Sequence, residues 1–163
     1  LPWYGYDYQC VRTGPDRTCF IKEVPFRNVS CSDAAGVQVP YVEIKHLVDI
    51  YGDWYDEHST TRYAYFNDSA NVTHQIWYDT SGSLGMKVGL AKYRELRGVG
   101  VWNANMLDYS GTKEGKYMVA DMWGTFPEYK ANKTEAFVVH PNHRRIYESI
   151  RVSDFVNVLP AFK

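Results

Sequence analysis

The sequence predicts an α/β fold, and three observations predict it. Residues 1–8, "LPWYGYDY", alternate as a strand, with Tyr4, Tyr6 and Tyr8 on one face and Trp3 and Asp7 on the other. Residues 80–126 run helix, strand, helix, which is the rhythm of a parallel α/β protein. Between these stretches, residues 9–79 mix short β-like pieces, one helix and frequent turn signals, as a small α+β unit does.

The first strand opens at residue 1 with no turn residue or cap before it, as if it began upstream. In "CVRTGPDRTC" the turn residues Thr13-Gly14-Pro15-Asp16 lie between Cys10 and Cys19. A hairpin there sets the two cysteines opposite each other and favours a Cys10–Cys19 disulfide; pairing of Cys31 with either one is the rival. The pieces "TCFIKEVPF", "RYAYFN" and "HQIWYD" read as strands separated by "TGPD", "DAAG" and "NDSAN". In "VPYVEIKHLVDIYGDW", Pro40 stands near the start of a short helix whose inward residues are expected to be Val42, Leu47 and Ile50. Ser81 or Ser83 can cap a helix running to about Arg97, with Leu84, Val88 and Ala91 as one stripe and Met86, Leu90 and Tyr93 beside it. A strand over 98–102 follows, then a helix from about Thr112 to Phe126 carrying Met118, Val119, Met122, Trp123 and Phe126. In the last stretch, "AFVVH" reads as a strand and Ile146 to Phe155 as a short amphipathic helix.

Composition narrows the function classes. A chain of 163 residues, 45% hydrophobic and 23% charged, is that of one ordinary globular domain. A net charge of -1 gives no electrostatic footprint for nucleic acid, and "HPNHRR" at 140–145 is too short to change that. No apolar run approaches the ~20 residues of a membrane span. Four N-x-[ST] sequons, at Asn28, Asn67, Asn71 and Asn132, favour passage through the secretory route and a glycoprotein, secreted or lysosomal. The three cysteines agree with an oxidising compartment, and their odd number leaves at least one without an internal partner; with Cys10–Cys19 paired, Cys31 is free or bonded outside this chain. A start at Leu1 without a signal peptide reads as a processed or truncated chain. His140 and His143 have a ligand-like spacing, but no carboxylate or cysteine cluster joins them, so no metal or cofactor is expected.

The stretch with most chemistry is "GVGVWNANMLDYSG" at 98–111. Alternation puts Gly98, Gly100 and Trp102 on one face and Val99 and Val101 on the other. The tryptophan ends the strand, and Asn103, Asn105 and Asp108 follow it. A flat aromatic surface flanked by amides suits a sugar, whose C–H face stacks while amides bond hydroxyl and acetamido groups. Periodicity alone does not separate that role from core packing, the commoner fate of a tryptophan at a strand end.

"WYDTSGSLGMKVGLAKYRELRGVGVWNANMLDYSG" resembles the end of a glycoside hydrolase family 18 barrel, where a "YD…S…K" helix leads into a last strand written G-G-V-x-x-W. "LPWYGYDY" resembles that family's seventh strand, and "VPFR", "CSDAAG", "WNAN" and "LDYSG" resemble a lysosomal branch of it. The resemblance covers residues 1–126. It implies that 1–8 and 80–126 are the last two strands and helices of a TIM (β/α)8 barrel, with 9–79 an α+β insertion and 127–163 an unassigned extension. It further implies that Trp102 floors the sugar subsite next to the cleaved bond and that Tyr4 contacts substrate. Tyr6 stands where many chitinases have a sugar-binding arginine. Asn103 and Asn105 are candidates by proximity to Trp102.

Family 18 acts through D-x-x-D-x-D-x-E on the fourth strand, its glutamate protonating the leaving oxygen while the substrate's acetamido oxygen attacks the anomeric carbon with retention. No such motif occurs in these 163 residues, and two of eight strands cannot perform that chemistry alone. Two readings follow. In the first, the chain is the C-terminal part of a glycosidase acting on N-acetylglucosamine-containing glycans, completed by an upstream segment or a second chain, with Cys31 a possible link. In the second, it is a non-catalytic glycan-binding or structural subunit derived from the barrel.

Overall fold

The computed structural model describes residues 1–25, 27 and 35–126. Cys31, Asn28, Asn132, His140, His143, the "AFVVH" strand and the helix over 146–155 lie outside the described residues. Among the described residues the chain divides into two units, one within Pro2–Asp79 with Val101–Leu107, the other of Leu1, Thr80–Gly100 and 108–126.

The first unit holds, among the described residues, a six-stranded sheet and one α-helix. Its strands are β1 (Tyr4–Thr13), β2 (Cys19–Ile21), β3 (Val37–Pro40), β4 (Trp54–Asp56), β5 (Thr61–Asn67) and β6 (Thr73–Tyr78). Their order is β2-β1-β6-β5-β4, and β3 pairs with the first half of β1 on the side away from β6. Every pair in this sheet is antiparallel. Among the described residues, the parallel α/β rhythm read from residues 80–126 survives as one parallel bridge, between Pro2 and Trp102.

Alternation gives the sheet two unlike faces. On one lie Gly5, Asp7, Ala64, Ile76 and Tyr78, and helix α1 (Tyr41–Tyr51), which continues directly from β3, packs there with Ile44 beside Gly5 and Tyr41 beside Tyr78. Tyr41 and Ile44 are its buried residues, so the expected inward set of Val42, Leu47 and Ile50 is corrected. Ile50 is 74% exposed. The reason is phase: β3 ends at Pro40 and delivers Tyr41 onto the sheet, and at about 100° per residue Ile50 lies opposite Tyr41. Gly5 is where the helix comes closest, since a Cβ there would stand 2.7 Å from Ile44 Cδ1 and 2.5 Å from Trp77 O. The helix ends on Gly52, whose φ of 73° is the left-handed conformation glycine adopts without steric cost, and whose N–H donates to Val48 O at 2.8 Å.

The hairpin at 10–19 forms, and Cys10–Cys19 is a disulfide with a Cα separation of 5.2 Å. The cysteines are not ladder partners, however: the turn closes between Gly14 and Thr18, so Cys19 pairs with Thr13, and beyond a bulge Cys10 pairs with Ile21.

The second unit contains α2 (Ser81–Tyr93) and α3 (Lys113–Trp123). Neither Ser81 nor Ser83 is the N-cap of α2. Thr80 is, with its hydroxyl accepting from Ser83 N at 3.3 Å while Ser83 Oγ accepts from Thr80 N at 2.8 Å. Leu84, Val88 and Ala91 are buried, as their spacing requires, whereas Leu90 and Tyr93 are exposed. Thr112 caps α3 by accepting from Gly115 N at 3.0 Å, and Met122 is that helix's fully buried side chain. No helix among the described residues is long and apolar enough to cross a membrane.

Residues 98–101 form no strand. Gly98 and Gly100 bring no side chain to pack and cost backbone entropy to extend, so among the described residues the run joins no ladder, and the Leu1 ammonium donates to Gly100 O at 2.6 Å.

Candidate functional site

Trp102 lies in the first unit, where Trp3 N donates to Trp102 O at 2.9 Å and Pro2 forms the parallel bridge with it. Those bonds hold its main chain beside the residues that lead into β1, two positions before Tyr4. The indole is 69% exposed, an unusual cost for so large an apolar side chain unless something covers it. The Trp102–Asn103 peptide is cis. Asn103 then starts a short 3-10 turn, Ala104–Met106, with Met106 N donating to Asn103 O at 3.3 Å. Asn103 Oδ1 is buried and has no hydrogen-bond partner among the described residues. Asn105 is exposed on that turn.

Tyr4 and Tyr6 stand on the sheet face opposite α1, half-buried, with ring centroids 5.7 Å apart and edge to face; Tyr6 and Tyr8 follow, stacked at 6.1 Å. The sheet register extends this row. Tyr6 opposes Trp77, Trp77 opposes Tyr63, and Tyr63 opposes Trp54. Tyr63 stacks on Trp77 at 4.7 Å and on Trp54 at 6.0 Å. In the middle, buried Gln75 donates to Tyr65 Oη at 2.6 Å and accepts from Trp77 Nε1 at 2.9 Å, so its amide is satisfied within the aromatic layer. The disulfide-pinned hairpin bends onto the far end: Tyr65 Oη donates to Arg17 O, and the Arg17 guanidinium lies 4.9 Å over Trp54. A cavity of about 330 Å³ there is lined by Thr13, Gly14, Arg17, Trp54, Tyr65 and Thr73.

Sequence reasoning missed this aromatic layer beyond β1. Alternation in "RYAYFN" and "HQIWYD" shows that Tyr63 with Tyr65 and Gln75 with Trp77 share faces, but only the strand register brings them to Tyr6. It missed a second cluster on the α1 face. His74 Nδ1 lies 2.9 Å from Asp7 Oδ2, and its Nε2 lies 3.6 Å from Asp68 Oδ2. Burial pushes the Asp7 carboxyl above the usual carboxylate range, with the His74 hydrogen bond and charge opposing that rise. Beside α1, Tyr78 Oη donates to Asp53, which also pairs with Arg62 at 2.7 Å. Burial, followed by that carboxylate contact, raises the Tyr78 phenol.

Flat rings, phenol hydroxyls and amides can hold a neutral polyhydroxylated ring. They supply no acid positioned for bond cleavage.

No protein-family model matches the chain. Human di-N-acetylchitobiase is 44% identical over 125 residues, a match covering 76% of this chain and 32% of the human protein. The probable di-N-acetylchitobiase 2 of Dictyostelium discoideum is 34% identical over 142 residues, covering 78% of this chain and 36% of that protein. Among solved structures, a family GH18 chitinase from Cycas revoluta in complex with allosamidin shares 20% identity at a TM-score of 0.48, over 76% of this chain and 32% of that one. The chain spans about a third of the length of the curated relatives it matches. By sequence, then, it is a homologue of the di-N-acetylchitobiases, the relatives within glycoside hydrolase family 18 that its motifs resemble.

Proposed function

We propose that this chain is the C-terminal part of a chitobiase-like glycosidase and carries sugar-binding residues for N-acetylglucosamine-containing glycans. The observation that carries the reading is the exposed Trp102, tied by its main chain to the segment that leads into Tyr4 and Tyr6. Under this reading the indole stacks on the C–H face of the sugar next to the cleaved bond. Tyr4 and Tyr6 bond its hydroxyls, and the orphaned Asn103 Oδ1 accepts from a donor that the remainder of the protein or the sugar supplies. Asn105 adds an exposed amide.

The acid that protonates the leaving oxygen lies outside these 163 residues, which contain no D-x-x-D-x-D-x-E. The substrate's own acetamido oxygen then serves as nucleophile, and this chain's residues hold the ring in place for it. Residues 1–8 and 80–126 complete a (β/α)8 barrel whose other strands come from an upstream segment or a second chain, 9–79 form its insertion, and Cys31 is available to link them. The sequons and the Cys10–Cys19 disulfide support a secreted or lysosomal glycoprotein.

The test is Trp102→Ala in the whole protein. Cleavage of chitobiose-type substrates and binding of N-acetylglucosamine oligomers should both fall while the fold is retained. Unchanged cleavage refutes the assignment. Glycan binding by the complete wild-type assembly with no turnover favours a non-catalytic binding subunit instead.

A further inference from the structure

The turn between β5 and β6, with the strand ends that flank it, contains two adjacent modification signals, Asn67-Asp68-Ser69 and Asn71-Val72-Thr73, whose asparagines are four residues apart. Its backbone is closed on itself: Asp68 N donates to Val72 O and Asn71 N to Asp68 O, each at 3.0 Å. Asp68 Oδ1 also accepts from Ala70 N and Val72 N, each at 2.9 Å. Residues 67–71 are all exposed, and Asn71 takes a φ of 62°, a left-handed conformation that asparagine tolerates better than most residues.

The two asparagine side chains are not equivalent. Asn67 Nδ2 donates to Asn71 Oδ1 at 3.1 Å. One of the two hydrogens on Asn67 Nδ2 is therefore engaged, whereas Asn71 Nδ2 has no partner among the described residues. N-glycosylation replaces one hydrogen of an asparagine Nδ2 and leaves its Oδ1 as an acceptor. A glycan on Asn71 thus keeps the bond from Asn67, while a glycan on Asn67 removes a donor hydrogen from the nitrogen that makes it. Two glycan stems on one turn would also crowd each other.

We infer that this turn carries a single N-glycan, on Asn71, with Asn67 left unmodified as its hydrogen-bond donor. In the transfer, Asn71 Nδ2 attacks C1 of a lipid-pyrophosphate-linked N-acetylglucosamine. The N–C bond forms, the C1–O bond to pyrophosphate breaks, the lipid pyrophosphate leaves with that electron pair, and the nitrogen loses one proton to a base.

The position suits the proposed site. The turn follows Asn67 and precedes Thr73 at the end of the sheet where His74 pairs with Gln9, whereas Tyr78 pairs with Gly5 beside Tyr4. Five residues of β6 separate the two ends, roughly 17 Å of strand. A glycan on Asn71 leaves Tyr4 and Tyr6 uncovered.

The inference rests on the secretory passage proposed above, and the experiment separates the two. The protein, produced through the secretory route of a eukaryotic cell, is treated with peptide N-glycanase in 18O-water and its peptides are sequenced by mass spectrometry. The expected result is an 18O-labelled aspartate at position 71 and unlabelled asparagine at 67, unchanged in an Asn67→Gln variant. Label at 67, at both positions, or at neither while Asn28 or Asn132 is labelled overturns the inference alone. Absence of label at all four sequons overturns it together with the secretory reading.

Discussion

Gly5→Ala tests whether α1 and β6 close on β1 as described, and whether that closure positions the tyrosines. The new methyl would meet Trp77 O at 2.5 Å, Ile44 Cδ1 at 2.7 Å and Tyr78 Cβ at 3.0 Å. Carbon atoms in good contact stand about 3.5–4.0 Å apart, so the methyl intrudes on Ile44 by roughly 1 Å. Ile44 Cδ1 can rotate aside, but Trp77 O belongs to the backbone of β6 and cannot move without shifting the strand that pairs with β1. Overpacking of this kind costs about 1–3 kcal/mol, and a clash with fixed backbone puts Gly5→Ala near the upper end. Ile44→Val shortens the offending side chain and alone costs about 0.5–1.5 kcal/mol. Combined with Gly5→Ala it should cost less than the sum, because it relieves one of the clashes. The assay is urea unfolding followed by tryptophan fluorescence, reading a lower midpoint at unchanged slope. Gly5 lies between Tyr4 and Tyr6, so glycan binding should weaken in step. A Gly5→Ala variant within about 0.5 kcal/mol of wild type would refute the packing described for this face.

Three further expectations follow from local geometry. Replacing both Cys10 and Cys19 with serine opens a loop of sequence separation 9 and should destabilise the protein by roughly 2–3 kcal/mol, read as a lower unfolding midpoint that reductant no longer changes. Thr80→Ala removes the hydroxyl that accepts from Ser83 N, so it should cost about 1 kcal/mol and raise amide exchange in the first turn of α2, while Thr80→Ser should restore both. The carboxyls of Asp16, Asp56 and Asp68 are held below the usual range by hydrogen bonds from Thr18, Ser59 and Val72. Their folded values lie below the unfolded one of about 3.9, so their stabilisation is complete above that pH and is lost as pH falls through the folded values. Amide protection in the three turns, referred to the intrinsic exchange rate at each pH, should therefore fall in that acidic window; unaltered protection there would count against the hydrogen bonds.

What the sequence determined by itself is what short-range stereochemistry controls. The alternation of "LPWYGYDY" put Tyr4, Tyr6 and Tyr8 on one face. The turn residues between Cys10 and Cys19 announced the hairpin and its disulfide, and the spacing of Leu84, Val88 and Ala91 marked the buried stripe of α2. Each depends on a period or a turn within a dozen residues. The tertiary structure decided what depends on long-range pairing. Register alone joined Tyr6 to Trp77, Tyr63 and Trp54, and docking after β3 turned Tyr41 and Ile44 inward instead of Val42, Leu47 and Ile50. Residues 98–101 show the limit most plainly. Their alternation is that of a strand, but a strand exists only where a neighbour supplies hydrogen bonds along its length. Among the described residues Pro2 supplies a single bridge, leaving Trp102 with its main chain held and its indole open.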